Sequence, residues 1–198
     1  GVQTCALPIY YSELSSCYNA IANSQNDLKY YAEALKYHFE ALEIREKLND
    51  SVLISSSLNN IGIAYKKLDS LDLALKYFNQ SLALKNRIGD KMSISSTLAN
   101  IGEISFLKGD YKNAENKYFD SYLLRKAIND QNGLVSVSNK LGELYLQLGL
   151  MKKAKVFLDE GLAISKKIES NELRLNNIKL QVQWYEKQQQ FKKAFEVY

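Results

Sequence analysis

Little in this 198-residue chain invites chemistry at first reading. It has one proline, one histidine and two cysteines. Scarce proline and only nine glycines disfavour an all-β chain built on tight turns, and the composition points to helices. Two Cys and one His are too few for a Cys/His zinc site or a disulfide framework, so neither metal nor cofactor is expected. No run of 18 apolar residues is present to cross a bilayer as a helix. What the chain does have is 46% hydrophobic residues and a net charge of +4, enough to bury a core and only mildly basic.

The strongest positive signal is a period. Ala34, Ala74, Ala114, Ala154 and Ala194 stand 40 residues apart. Thirteen positions before the first four lie Ile21, Ile61, Ile101 and Leu141, followed by Ala22, Gly62, Gly102 and Gly142. Four positions after the alanines come His38, Phe78, Tyr118, Leu158 and Tyr198, and seven after come the small Ala41, Ser81, Ser121 and Gly161. Leu58, Ile61, Tyr65 and Leu68 fall on one helix face, as do Leu71, Ala74, Phe78 and Leu82. Each repeat therefore holds two helices, A at about 51–68 and B at about 71–88 in the second repeat. Asp69-Ser70, Gly109-Asp110, Gly149, Asn49-Asp50, Gly89-Asp90 and Asn129-Asp130 mark the turns, with Asp and Asn able to cap the next helix. Small residues opposite large ones allow backbones to approach, and stacked pairs bury a face that one pair cannot bury alone.

Leu58, Ile61-Gly62, Tyr65, Ala74, Phe78 and Ser81 resemble the tetratricopeptide-repeat ladder, and the resemblance spans about residues 11–198. Gln25 and Ser105 replace its Tyr, Gln181-Val182 its Leu-Gly pair, and Glu46, Asn86, Lys126 and Lys166 its helix-B proline. The long period is similar to that of kinesin light chain, whose Ala-Leu-Glu-Ile-Arg-Glu-Lys wording occupies 41–47, and to sensory arrays of bacterial signalling regulators. The resemblance implies an all-α, right-handed superhelical solenoid of antiparallel pairs. Its repeats are set at about 11–50, 51–90, 91–130, 131–170 and a truncated 171–198 within an array over 10–198. Residues 1–9 share no pattern with the rest, resemble a translated sequencing-library adapter, and are set aside as non-native.

No catalytic residues are expected. His38 shares its column with Phe78, Tyr118, Leu158 and Tyr198, which makes it a packed ring. Cys17 has neither a partner cysteine nor a histidine near it in sequence. Arg45, Arg87 and Arg125, with Lys47, Lys85 and Lys126, sit at B-helix ends where cations suit the helix dipole. Lysine pairs lie among acids and form no stripe, so no nucleic acid is expected as partner. The resemblance instead puts a protein or peptide on the concave A-helix face. Its exposed columns hold Asn19, Asn59, Asn139 and Lys179, then Asn23, Ile63, Glu103 and Glu143, then Lys66 and Phe106. The asparagines read either as an amide ladder for an extended peptide or as ties between helices. The alternative function is the input region of a larger bacterial signalling protein, a sensor histidine kinase or helix-turn-helix regulator. Phe191, Ala194, Phe195 and Tyr198 form an uncapped apolar end, expected to fray after about residue 188 and to self-associate.

Overall fold

The computed structural model describes residues 3–197, with side chains for 7–196. Within that span the chain is all helix and turn: α1 (Gln3–Asp27), α2 (Tyr31–Lys47), α3 (Ser51–Lys67), α4 (Leu71–Ile88), α5 (Lys91–Leu107), α6 (Tyr111–Ala127), α7 (Gln131–Gln147), α8 (Met151–Lys167), α9 (Asn171–Lys187) and α10 (Phe191–Val197). Odd-numbered helices are the A helices and even-numbered ones the B helices. Two units result, Gly1–Asp90 with α1 to α4 and Lys91–Tyr198 with α5 to α10. No helix among the described residues is long and apolar enough to cross a membrane.

The turns explain the punctuation. One residue per link takes a left-handed backbone: Asn49, Asp69 and Asn129, and Gly89, Gly109 and Gly149, all residue types that tolerate positive φ. Lys29, Glu169 and Gln189 adopt the same conformation, at a cost of about 1 kcal/mol each, without the sequence announcing it. Asp50, Asp110 and Asp130 then cap α3, α6 and α7 by accepting from the backbone N–H of Leu53, Asn113 and Gly133.

In the first unit Ile61, Ala64, Ala74 and Phe78 are fully buried, and a Cβ added to Gly62 would lie 2.7 Å from the Phe78 ring. The second unit repeats this device. Gly102 faces Tyr118 and Gly142 faces Leu158, with hypothetical Cβ distances of 2.6 and 2.5 Å. Glycine is thus required where the large B-helix residue seats against helix A. The small residue three positions later ties the pair: Ser81 Oγ donates to the Ser55 carbonyl at 2.7 Å and Ser121 Oγ to that of Ser95 at 2.8 Å.

Burial along three columns adds to the sequence reading. Ile21 is 41% exposed although Ile61, Ile101 and Leu141 are buried; α1 packs on α2 and bonds to α3 through Asn19. Cys17 is also exposed, whereas Ser57, Thr97, Val137 and Asn177 in its column are buried. The cations at 45, 85 and 125 stand in the last turns of their B helices, as expected, and all three are buried. Arg45 Nη1 donates to Ser57 Oγ (2.6 Å) and the Leu53 carbonyl (3.3 Å), and Nε to Ser15 Oγ (3.3 Å), which pins α2 to α1 and α3. Arg125 holds Asp130 at 2.8 Å and reaches Ser121 and Ser96. A long cation fits there because its stem packs among the helices while its head meets hydroxyls and a cap carboxylate.

Candidate functional site

In the first unit the A helices α1 and α3 carry a concentration of amides. Asn19 is half-buried and its Oδ1 accepts from Asn60 Nδ2 at 3.0 Å, joining the two helices. Asn23 is exposed, and Asn59, Ile63 and Lys66 are half-buried. Asn23, Asn26, Asp27, Asn60 and Ile63 line a recess of about 210 Å³. Behind it, Asn26 Nδ2 donates to His38 Nε2 at 3.2 Å, while Asn26 Oδ1 is buried with no partner in the chain. An amide nitrogen can only donate, so Nε2 accepts and Nδ1 carries the imidazole proton, itself without a partner. Burial, and then the positive charge of Arg45, lower the His38 pKa to about 4, so the ring is neutral at physiological pH.

In the second unit the equivalent surface on α5, α7 and α9 is charged. Glu103 Oε2 pairs with Lys140 Nζ at 2.8 Å, and that ammonium lies 5.9 Å from the centre of the Tyr118 ring. Glu143, on the next turn of α7, is held above the ordinary carboxylate range by desolvation and by the Glu103 charge, against the pull of Lys140. Phe106 is half-buried against Tyr111 with ring centres 5.7 Å apart, and Lys179 is exposed.

Asn139 lies within the helix stack. It is buried, donating from Nδ2 to the Leu173 carbonyl at 3.3 Å and accepting from Asn177 Nδ2 at 2.7 Å. Asn177 and Gln181 both reach the Leu158 carbonyl. The amide of Asn139 is therefore spent on tying α7 to α9, and Gln181 replaces the family's leucine because this stack is polar. At 139 the amide bonds α7 to α9, and at 19 the bond runs from Asn60 on α3.

A second feature lies on the B-helix side of the same unit and was missed from sequence. Side chains bridge α6 and α8 around a cavity of about 430 Å³ lined by Glu115, Asn116, Phe119, Tyr145, Lys153, Val156 and Phe157. Tyr145 Oη donates to Glu115 Oε1 at 2.6 Å, and Lys153 Nζ lies 3.3 Å from the same oxygen and 5.0 Å from the Tyr145 ring centre. The Tyr145 bond, more than the Lys153 charge, holds the Glu115 carboxyl below its usual range, while burial and Glu115 push the phenol up. The available signal was a broken column, since Glu115 stands where the two preceding repeats have Leu35 and Leu75. Among the described residues no group of three His, Cys, Asp or Glu side chains is arranged to hold a metal ion.

Models of the tetratricopeptide repeat match residues 13–87 and 135–168. No curated protein sequence matches the chain. Solved structures do, and their likeness shows the fold. The chain is similar to BtubC (BKLC) from P. vanneervenii at a TM-score of 0.84 and 18% identity, covering 96% of this chain and 79% of that one. It is similar to the repeats of a putative kinesin light chain from Podosopora anserina at 0.75 and 17%, covering 94% and 92%. It is also similar to the Rap conjugation gene regulator of the plasmid pLS20, solved in complex with the Phr* peptide, at 0.74 and 17%, covering 92% of this chain and 50% of that one.

Proposed function

This chain carries tetratricopeptide repeats, and from that premise we infer that it is a non-catalytic binding module that takes a protein or peptide segment on its A helices. The observation that carries the reading is the amide-lined recess between α1 and α3. Asn23, Asn26 and Asn60 converge there beside the apolar Ile63. Amides both donate and accept, which matches the alternating N–H and C=O groups of an extended backbone, and an isoleucine beside them accepts an apolar side chain. Asn59 and Lys66 flank this recess on α3. In the second unit Glu103, Phe106, Glu143 and Lys179 serve the same role with charge, selecting side chains rather than backbone. Asn19 and Asn139 act as ties that hold the A helices in place.

A peptide library panned against the chain yields the probe, and Asn23→Ala with Ile63→Glu tests it. Asn23 is exposed and has no part in the core, so its loss leaves the helical circular dichroism intact. Affinity for the selected peptide falls by about fivefold for Asn23→Ala, the worth of a typical hydrogen bond, and further for Ile63→Glu. Unchanged affinity in both variants refutes the reading. A second reading, an input region of a larger signalling regulator, draws on the peptide-bound Rap regulator, of which this chain spans half the length. There the same recess would receive the signal and the effector part would lie outside these residues.

A further inference from the structure

Residues 80 apart in the sequence build the same aromatic triad twice. In the first unit Phe39 meets Tyr77 edge-on at 5.9 Å between ring centres, and Tyr65 stacks on Tyr77 at 5.4 Å. In the second unit Phe119, Tyr145 and Phe157 take the corresponding places. Tyr145 stacks on Phe157 at 5.7 Å, and Tyr122 stands between Phe157 and Phe119 at 5.6 and 5.8 Å. The difference lies in what borders the rings. The first triad has Leu35 packed beside it, the exposed Leu73 at the equivalent of position 153, and Lys76 Nζ 5.6 Å from the Tyr77 ring centre, with no counterpart of the Glu115 carboxylate at position 35. The second has Glu115 and Lys153 at those positions and remains open, with Phe119 41% and Val156 63% exposed at its rim.

A carboxylate placed among aromatic ring faces is the arrangement that attracts an ammonium ion, because the negative faces of the rings and the anion act together in a partly desolvated site. The chain demonstrates this itself. Lys153 already sits on the Tyr145 ring and on Glu115, yet its side chain is more than half exposed, and its hold is that of a surface pair. Outside the lining, Glu160 on α8 accepts from the Tyr122 hydroxyl at 2.9 Å. The cavity of about 430 Å³ exceeds what Lys153 fills, and its aromatic and aliphatic walls suit a methylene stem.

We propose that the cavity between α6 and α8 is a subsite for a lysine side chain of a partner protein, held by Glu115, Tyr145, Phe157 and Phe119, with Lys153 as its internal placeholder. An incoming ammonium displaces Lys153 into solvent and takes over both the ring face and the carboxylate, while its stem covers Phe119 and Val156. Glu115 is ionised to receive it, since the Tyr145 hydrogen bond stabilises the charged carboxylate. The subsite is built from α6 and α8 with Tyr145 of α7, and stands independently of the amide recess.

The test uses the acetylated and amidated tripeptide Gly-Lys-Gly and its norleucine counterpart, titrated while the ring-proton resonances of Tyr145 and Phe157 are followed. Tyr65 and Tyr77, in the triad that has Leu35 where the other has Glu115 and that carries Lys76 5.6 Å from the Tyr77 ring centre, are the internal control. The lysine peptide gives saturable shifts at Tyr145 and Phe157 and none at Tyr65 and Tyr77. Lys153→Met removes the competitor and tightens binding about fivefold, while Glu115→Gln weakens it by at least as much. Phe119→Ala, at an exposed position, serves as a second weakening variant should Glu115→Gln lose its fold, and Asn23→Ala leaves the shifts unaltered. Absence of saturable shifts in Lys153→Met overturns the proposal. So does equal binding of the norleucine peptide, equal response at the control triad, or affinity indifferent to Glu115→Gln and Phe119→Ala.

Discussion

His38 offers a direct test of how the first unit is held together. The ring is completely buried, and burial followed by the Arg45 charge takes its pKa from the ordinary 6.5 to about 4. At pH 7 neither folded nor unfolded chain protonates it, so it adds no pH dependence there. As the pH falls through 6.5 the unfolded chain takes up a proton that the folded chain refuses until about pH 4, so stability is lost across that window and no further below it. Each pH unit is worth about 1.36 kcal/mol, which makes the full loss about 2–3 kcal/mol. Against a whole stability of about 5–15 kcal/mol this is a large fraction. His38→Phe installs the residue type of Phe78 in the same column, and His38→Leu that of Leu158. Both leave the Asn26 amide unpaired, a cost independent of pH that cancels when slopes are compared. Urea titrations followed through α2 amide resonances at pH 7 and pH 4 should show the wild-type chain losing about 2–3 kcal/mol more than either variant. Parallel pH profiles for all three would refute the argument.

Asp130 both caps α7 and pairs with the buried Arg125, so Asp130→Ala should cost about 3 kcal/mol in urea unfolding followed through Trp184 fluorescence. Asp130→Asn keeps the cap and recovers about 1 kcal/mol of that loss. Gly142→Ala gains about 1 kcal/mol of helix propensity but forces a Cβ into Leu158, for a net loss of about 1 kcal/mol. The pair Gly142→Ala with Leu158→Ala should be less destabilised than the sum of the single changes, because the new methyl then meets open space; strict additivity would contradict the contact.

The helices and their order were legible because the same apolar spacing returns every 40 residues, so each column reinforces the others. Gly62, Gly102 and Gly142 could be paired with Phe78, Tyr118 and Leu158 before any coordinates, since close approach leaves a small-against-large signature. Periodicity is silent on what a polar side chain does with its hydrogen bonds. Asn19 and Asn139 read equally as a ligand ladder or as ties between helices, and only packing showed which partners they have: Asn60, Leu173 and Asn177. Arg45 and Arg125 read as dipole partners at the B-helix ends, where they stand, but their burial and their bonds to neighbouring helices came only from packing. The Glu115 site needed tertiary structure most of all, for its parts come from α6, α7 and α8 and converge only when the repeats stack. The sequence by itself determined the repeat, its helices and its core, which follow from spacing along one chain. Which amides are spent, which cations are buried and which rings remain open were decided by contacts between helices, because a side chain's partners there lie some 30 to 40 residues away in sequence.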